Sequence, residues 1–122
     1  MKLTNLDLVG LYNKLIEQKE TSFPARVSFI IARNEKKIWD ILQDYLNAKN
    51  KAIEKYCAPV DGEPGKFELP PRDSPYWEEM EELDNTENEI EFKKFYIDDL
   101  KDMELSLEIT NALLPMIEEE TE

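Results

Sequence analysis

Leu8, Leu11, Tyr12, Leu15 and Ile16 recur at spacings of three and four residues, the period of a helix that buries one face. Thr4 precedes them as a helix cap, with Asp7 three residues on, where a carboxylate favours the helix N-terminus. The pattern predicts a first helix of about four turns, ending near Lys19. Ser22-Phe23-Pro24 then breaks and restarts the chain, because proline at a first helical position has no amide hydrogen to lose. From Ala25 to Cys57 there is neither glycine nor proline, and apolar positions repeat every seven residues: Ile31, Ile38, Tyr45 and Ala52 in one row, Val27, Asn34, Ile41 and Ala48 in the other. One helix on the order of 50 Å is the simplest reading. Two shorter helices breaking near Asn47-Ala48-Lys49-Asn50 are the alternative. A single long helix outruns the first one, so its distal half needs cover from later elements or from a second copy.

Beyond Cys57 the pattern changes. Residues 58–74 carry Pro59, Pro64, Pro70 and Pro71 with Gly62 and Gly65, and read as a connection with a turn at Pro64-Gly65. Lys66-Phe67-Glu68-Leu69 is a candidate short strand within it. Ser74-Pro75 opens a third helix, with Tyr76, Trp77, Met80 and Leu83 expected inward and Glu78, Glu79, Glu81 and Glu82 outward. Glu89-Ile90-Glu91-Phe92-Lys93 alternates strictly and Phe95-Tyr96-Ile97 prolongs it, predicting one strand over 89–97 paired with 66–69. Ser106 caps a last helix bearing Ile109, Leu113 and Ile117, which Pro115 kinks or shortens, and Glu118-Glu119-Glu120 reads as a frayed tail. The fold class expected is α+β, predominantly α: a long helical hairpin with a small antiparallel β element and additional short helices. At 122 residues this makes a single domain over 1–122, divided into a hairpin (1–57), the Pro/Gly-rich connection (58–74) and an acidic helix-strand-helix (75–122).

Charge divides the chain more sharply than hydropathy does. Residues 1–57 hold ten Lys/Arg against seven Asp/Glu, a balance of +3, whereas residues 58–122 hold five against twenty-one, a balance of −16. The first half can face an anion, and the second repels nucleic acid, so direct nucleic-acid binding is not expected. No apolar run is long enough to span a bilayer and the start lacks a secretion signal, so a cytoplasmic protein without membrane contact is expected. Cys57 is the only cysteine, excludes an internal disulfide and reads as a buried, inert thiol.

There is no histidine, which removes the commonest general base and the commonest metal ligand together. Phosphate-cradling glycine loops, a nucleophile elbow and a calcium loop are also missing, so neither an enzyme, a metal site nor a cofactor is expected. Two surfaces are candidates for binding. Arg26, Arg33 and Lys37 fall on one face of the long helix at spacings of seven and four, with Asn34 beside them. Guanidinium forks there can hold a phosphate while Asn34 reads a polar edge. The plain alternative is a solvated row of cations eased by Glu35 and Asp40, with Asn34 fixing helix register. Trp39, Tyr45, Tyr76 and Trp77 read as core, although an aromatic beside Arg33 or Asn34 could stack a nucleobase. Glu78, Glu79, Glu81 and Glu82 are either the wet face of an amphipathic helix or a mimic of nucleic-acid phosphates that fits a basic groove.

Lys2-Leu3-Thr4-Asn5 with Leu8 and Leu11, then Phe23-Pro24-Ala25-Arg26-Val27-Ser28-Phe29-Ile30-Ile31-Ala32-Arg33-Asn34, resembles a group of short proteins encoded in phages and prophages of Gram-positive bacteria, whose function is unknown. That group shows Leu-Pro-x-basic-x-Ser-aromatic-x-Ile-x-basic-Asn, then an acidic strand and a last helix opened by Leu-Ser. Glu89–Phe92 and Glu104-Leu105-Ser106 take those places here, and Phe23 stands where leucine is usual. The resemblance implies a phage origin rather than an activity. With that origin, the basic stripe on a helix followed by strongly acidic sequence leads to the expectation of a non-enzymatic phage accessory protein in the host bacterial cytoplasm that counters defence by sequestering a nucleotide immune signal, within a homo-oligomer built on the long helix. The alternatives are an acidic inhibitor of a host nuclease or defence protein and a phage assembly factor.

Overall fold

The computed structural model describes residues 1–18, 21–100 and 103–118. A short strand β1 (Lys2–Thr4) leads directly into helix α1 (Asn5–Glu17). The junction is a reciprocal cap: the Asp7 amide donates to Thr4 Oγ1 and the Thr4 amide donates to Asp7 Oδ2, both at 3.1 Å, so two helix-end donors are satisfied. Lys19, where the first helix was expected to end, lies outside the described residues. Helix α2 runs unbroken from Ala25 to Tyr56, so no break occurs near Asn47–Asn50. Its length of 32 residues corresponds to about 48 Å.

Two helices share the task of covering α2. Tyr12 of α1 stacks on Trp39, ring centroids 5.4 Å apart, and Leu8 and Leu15 meet Val27, Ile31 and Ile38 in the main core. Helix α3 (Pro75–Asp84), capped by Ser74 and started by Pro75, covers the distal half. There Tyr76 and Met80 pack with Cys57, Ala52, Ile53 and Tyr56 in a smaller cluster. Cys57 is buried, as its sequence context suggests. Trp77, in contrast, is not an inward residue: its side chain is exposed and its indole N–H donates to the Pro71 carbonyl at 3.0 Å, fastening the proline-rich connection to α3.

The β structure departs from expectation in its pairing. Strand β4 (Glu87–Glu89) pairs antiparallel with β1, Lys2 opposite Glu89. Phe67–Glu68 (β3) pairs with Ala58–Pro59 (β2) across a turn in which Gly62 and Gly65 take positive φ, so the 66–69 segment closes on its own connection instead of reaching 89–97. The expected strand over 89–97 is divided: residues 90–94 form no ladder, and Phe95–Tyr96 (β5) pairs with Ile117–Glu118 (β6), in parallel. A 3-10 turn (Ile97–Leu100) follows β5, and helix α4 (Leu107–Leu113) starts at Ser106, whose hydroxyl accepts the Ile109 amide. Pro115 ends α4 through a second 3-10 turn, and Glu118 is held in β6 rather than in a tail; Glu119 and Glu120 lie outside the described residues. Predominantly α with small sheets, the protein is of the α+β class.

Polar contacts join the helical hairpin to the acidic half. The Asn5 amide group donates to the Leu83 carbonyl at 2.6 Å and receives Asn88 Nδ2 at 2.9 Å. Tyr45 donates its hydroxyl to Asp84 at 2.7 Å. Burial, and then the bond to Asp84 and its charge, push the Tyr45 phenol up to about 12 from its ordinary 10.0. Because the folded state holds this proton more tightly, its stabilisation is complete below about pH 10 and is lost as pH rises from about 10 to about 12. Tyr76, also raised by burial, acts in the same direction. Urea midpoints are expected to fall across that window in the wild type. Tyr45→Phe is expected to lose about 1 kcal/mol near pH 8 and to show a shallower alkaline decline; equal declines would remove Tyr45 as a titrating group.

Candidate functional site

Within the run from Arg26 to Lys37, burial follows the helical period strictly. Val27, Ile31, Asn34 and Ile38 face the core, and Arg26, Phe29, Arg33 and Lys36 face out. Arg26 and Arg33 are two turns apart, about 10 Å along the axis. Asn34 does not stand with them. It is 0% exposed, its Nδ2 donates to the Lys93 carbonyl at 2.9 Å, and its Oδ1 accepts the Lys93 amide at 2.8 Å. One side chain thereby replaces both partners that a neighbouring strand would have offered residue 93. This accounts for the missing ladder over 90–94. It also withdraws Asn34 from reading a ligand, since both ends of its amide are engaged inside the protein.

One turn further, Lys37 Nζ donates to the Glu91 carbonyl at 2.7 Å. Segment 91–93 therefore lies along one flank of α2, antiparallel to it, pinned at Lys37 and Asn34. The strict alternation seen in the sequence survives in which side chains turn inward: Ile90 is buried and Phe92 packs partly on the core, while Glu91 and Lys93 are exposed. The backbone of Lys93 is thus held against Asn34 of α2, and its exposed side chain reaches this part of the surface from a remote part of the chain. Lys94 does not join them; it lines a separate depression with Met1, Ile90, Phe92 and Pro115.

The three ion pairs among the described residues are Met1 ammonium with Glu89, Lys55 with Glu79, and Lys66 with Glu63. None involves Arg26, Arg33, Lys37 or Lys93. In a chain of net charge −13, this flank thus keeps its positive charge uncompensated by direct pairing. Asp40 lies one turn beyond Lys36 on the exposed side, also outside those pairs. The Arg33 guanidinium sits over the Phe29 ring, 5.1 Å from its centroid, which holds the cation in place while leaving its N–H groups free to donate.

The acidic candidates collect at the other end of α2. Glu78, Glu81 and Glu82 line one shallow depression with Asn85, and Glu79 reaches Lys55 at 4.0 Å. All four carboxylates are exposed. From Arg33 to Lys55 the helix runs about 33 Å, so the cationic flank and the acidic face form separate poles of one rod.

Three of the described groups have clearly displaced pKa values. Tyr45, Tyr76 and Lys55 all move upward, away from neutrality, the last through its contact with Tyr56, whereas a general acid or base works best near the ambient pH. What sequence reading missed at the site is Lys93 and Phe29. A lysine pair standing alone within a strongly acidic stretch was the available sign of the first; for the second it was an aromatic three residues after Arg26 and four before Arg33. No protein-family model matches the chain, and neither a curated protein nor a solved structure matches it.

Proposed function

We propose that this is a non-enzymatic phage accessory protein that counters bacterial defence by binding a nucleotide-type, phosphate-bearing signal on the cationic flank of α2. The observation that carries the reading is the set Arg26, Arg33, Lys37 and Lys93, outside every ion pair among the described residues in a chain of charge −13. Among the described residues no carboxylate pairs directly with these four cations, and the Glu78–Glu82 face lies toward the far end of α2, which favours a local field that attracts anions. The flank is an open helix surface, so enclosing a small ligand takes a second copy, consistent with a homo-oligomer acting in the host cytoplasm. No helix among the described residues is long and apolar enough to cross a membrane.

Isothermal titration with a panel of cyclic and linear nucleotides tests the reading. Binding is expected, weakening as salt rises, and the double variant Arg26→Gln, Arg33→Gln is expected to lose at least about tenfold in affinity, the scale of one charge-assisted contact. Absence of heat with every nucleotide at low ionic strength overturns it. A second reading is favoured by the depression lined by Glu78, Glu81 and Glu82: an acidic inhibitor that occupies the nucleic-acid groove of a basic host protein. That reading requires a captured complex that dissociates at high salt, and a salt-independent complex would count against it.

A further inference from the structure

Among the exposed aromatic residues, Phe29 differs in what surrounds it. Trp39 is stacked on Tyr12, and Trp77 meets Tyr76 edge-on with its N–H bonded to Pro71. Phe29 is 55% exposed and, like the exposed Phe67 and Tyr96, belongs to neither hydrophobic cluster, but it differs from those two in carrying an arginine over its ring. It lies on the helix surface between Arg26, three residues before it, and Arg33, four residues after it, both spacings being nearest neighbours on a helix face. Of the two cation–aromatic contacts among the described residues, Lys55 over Tyr56 has Glu79 at 4.0 Å, whereas Arg33 over Phe29 has no carboxylate paired with it. An apolar ring of this size kept in water, flanked by two arginines about 10 Å apart along the helix axis and outside the ion pairs among the described residues, contributes little to the fold.

We propose that Phe29 is a stacking platform for a nucleobase, with Arg26 and Arg33 gripping phosphates on either side of that base, so that the ligand class is a dinucleotide, either linear with a 5′-phosphate or cyclic. This rests on the binding function assigned above to the α2 flank and narrows it. A ring supplies stacking to any base without hydrogen-bond readout, and the guanidinium forks supply paired donors to phosphate oxygens. A nucleoside triphosphate places all its phosphates on one side of its base and engages one arginine. A dinucleotide places a phosphate before and after its first base and engages both. Lys93, whose backbone is fixed by Asn34, adds charge to the same flank. Longer single strands are disfavoured by the acidic half.

The test is calorimetric titration of the full chain with linear 5′-phosphorylated diadenylate, cyclic diadenylate, adenosine triphosphate and inorganic tripolyphosphate. At least one dinucleotide is expected to bind about tenfold or more tightly than either of the last two, and which of the two does so identifies the form. Phe29→Ala is expected to lower dinucleotide affinity about tenfold or more while leaving tripolyphosphate affinity unchanged, and Phe29→Trp is expected to retain binding. Thermal unfolding of both variants is expected to match the wild type, since the ring lies outside the core. If Phe29→Ala binds the dinucleotide as the wild type does, or tripolyphosphate binds as tightly as the better-bound dinucleotide, the stacking proposal is overturned while the cationic flank survives. If none of the four anions binds, the flank itself falls.

Discussion

Replacing Asn34 with leucine will destabilise the protein by about 2–4 kcal/mol, although leucine suits an apolar helix face and has the same γ-branched shape. The reason is the asymmetry between making a buried hydrogen bond and leaving a buried group unpaired. The amide of Asn34 serves the Lys93 N–H and the Lys93 carbonyl at once; leucine leaves both backbone groups without a partner, at about 1–3 kcal/mol each. The loss will be local in origin. Hydrogen exchange at the Lys93 amide is expected to accelerate in Asn34→Leu well before the amides of α1 respond, because residues 90–94 have no ladder to fall back on. Asn34→Asp distinguishes hydrogen bonding from shape: the carboxylate still accepts from the Lys93 amide but faces the Lys93 carbonyl with a second acceptor, so it too will be destabilised. Urea denaturation measures both variants. A loss below about 0.5 kcal/mol in the leucine variant would show that segment 91–93 is held by packing alone.

Phe95→Ala will cost more, about 3–5 kcal/mol. Phe95 is fully buried, and its ring joins the core where α1, α2, α4 and the β5–β6 pair converge. Deleting the ring removes its transfer free energy and leaves a cavity that the surrounding Leu8, Ile38, Leu113 and Met116, all fully buried themselves, can close only in part. The parallel pair Phe95–Ile117 and Tyr96–Glu118 is only two residues long on each side, too short to persist without that ring. Loss of the β5–β6 contacts is therefore expected to accompany the drop in urea midpoint. Phe95→Leu, which refills much of the space, is expected to recover about half of the loss. Equal stability of the alanine variant and the wild type would move the centre of the core elsewhere.

How far the fold could be read from residues alone depends on the range of the interactions. The caps at Thr4, Ser74 and Ser106 act over two or three residues and were all legible. The extent of α2 was legible as the simplest reading of a run without glycine or proline, but its continuity past Asn47–Asn50, where a break was the alternative, is decided by the structure. Strand pairing was not legible. Alternation over Glu89–Lys93 correctly reports that Ile90 and Phe92 turn inward, but it is silent about what the intervening backbone bonds to, and that partner proved to be a helix side chain 59 residues away. The same limit governs the site. The cations of α2 announced themselves by spacing, while Lys93 reaches that flank only through tertiary structure. Asn34 was recognised as unusual and given the wrong neighbour: a polar residue in an apolar seam signals a buried partner without naming it.

The pairing of β1 with β4 bears on how the chain reaches this state. Leu3 and Asn88, which face each other across that ladder, are 85 residues apart. During synthesis the first strand leaves the ribosome long before its mate exists, and it cannot find order until α3 has been made and turned back. The α1–α2 hairpin, by contrast, needs only neighbours close in sequence. Folding is therefore expected to proceed from that hairpin outward, with closure of the N-terminal ladder as a late event whose rate is limited by the search over a long loop.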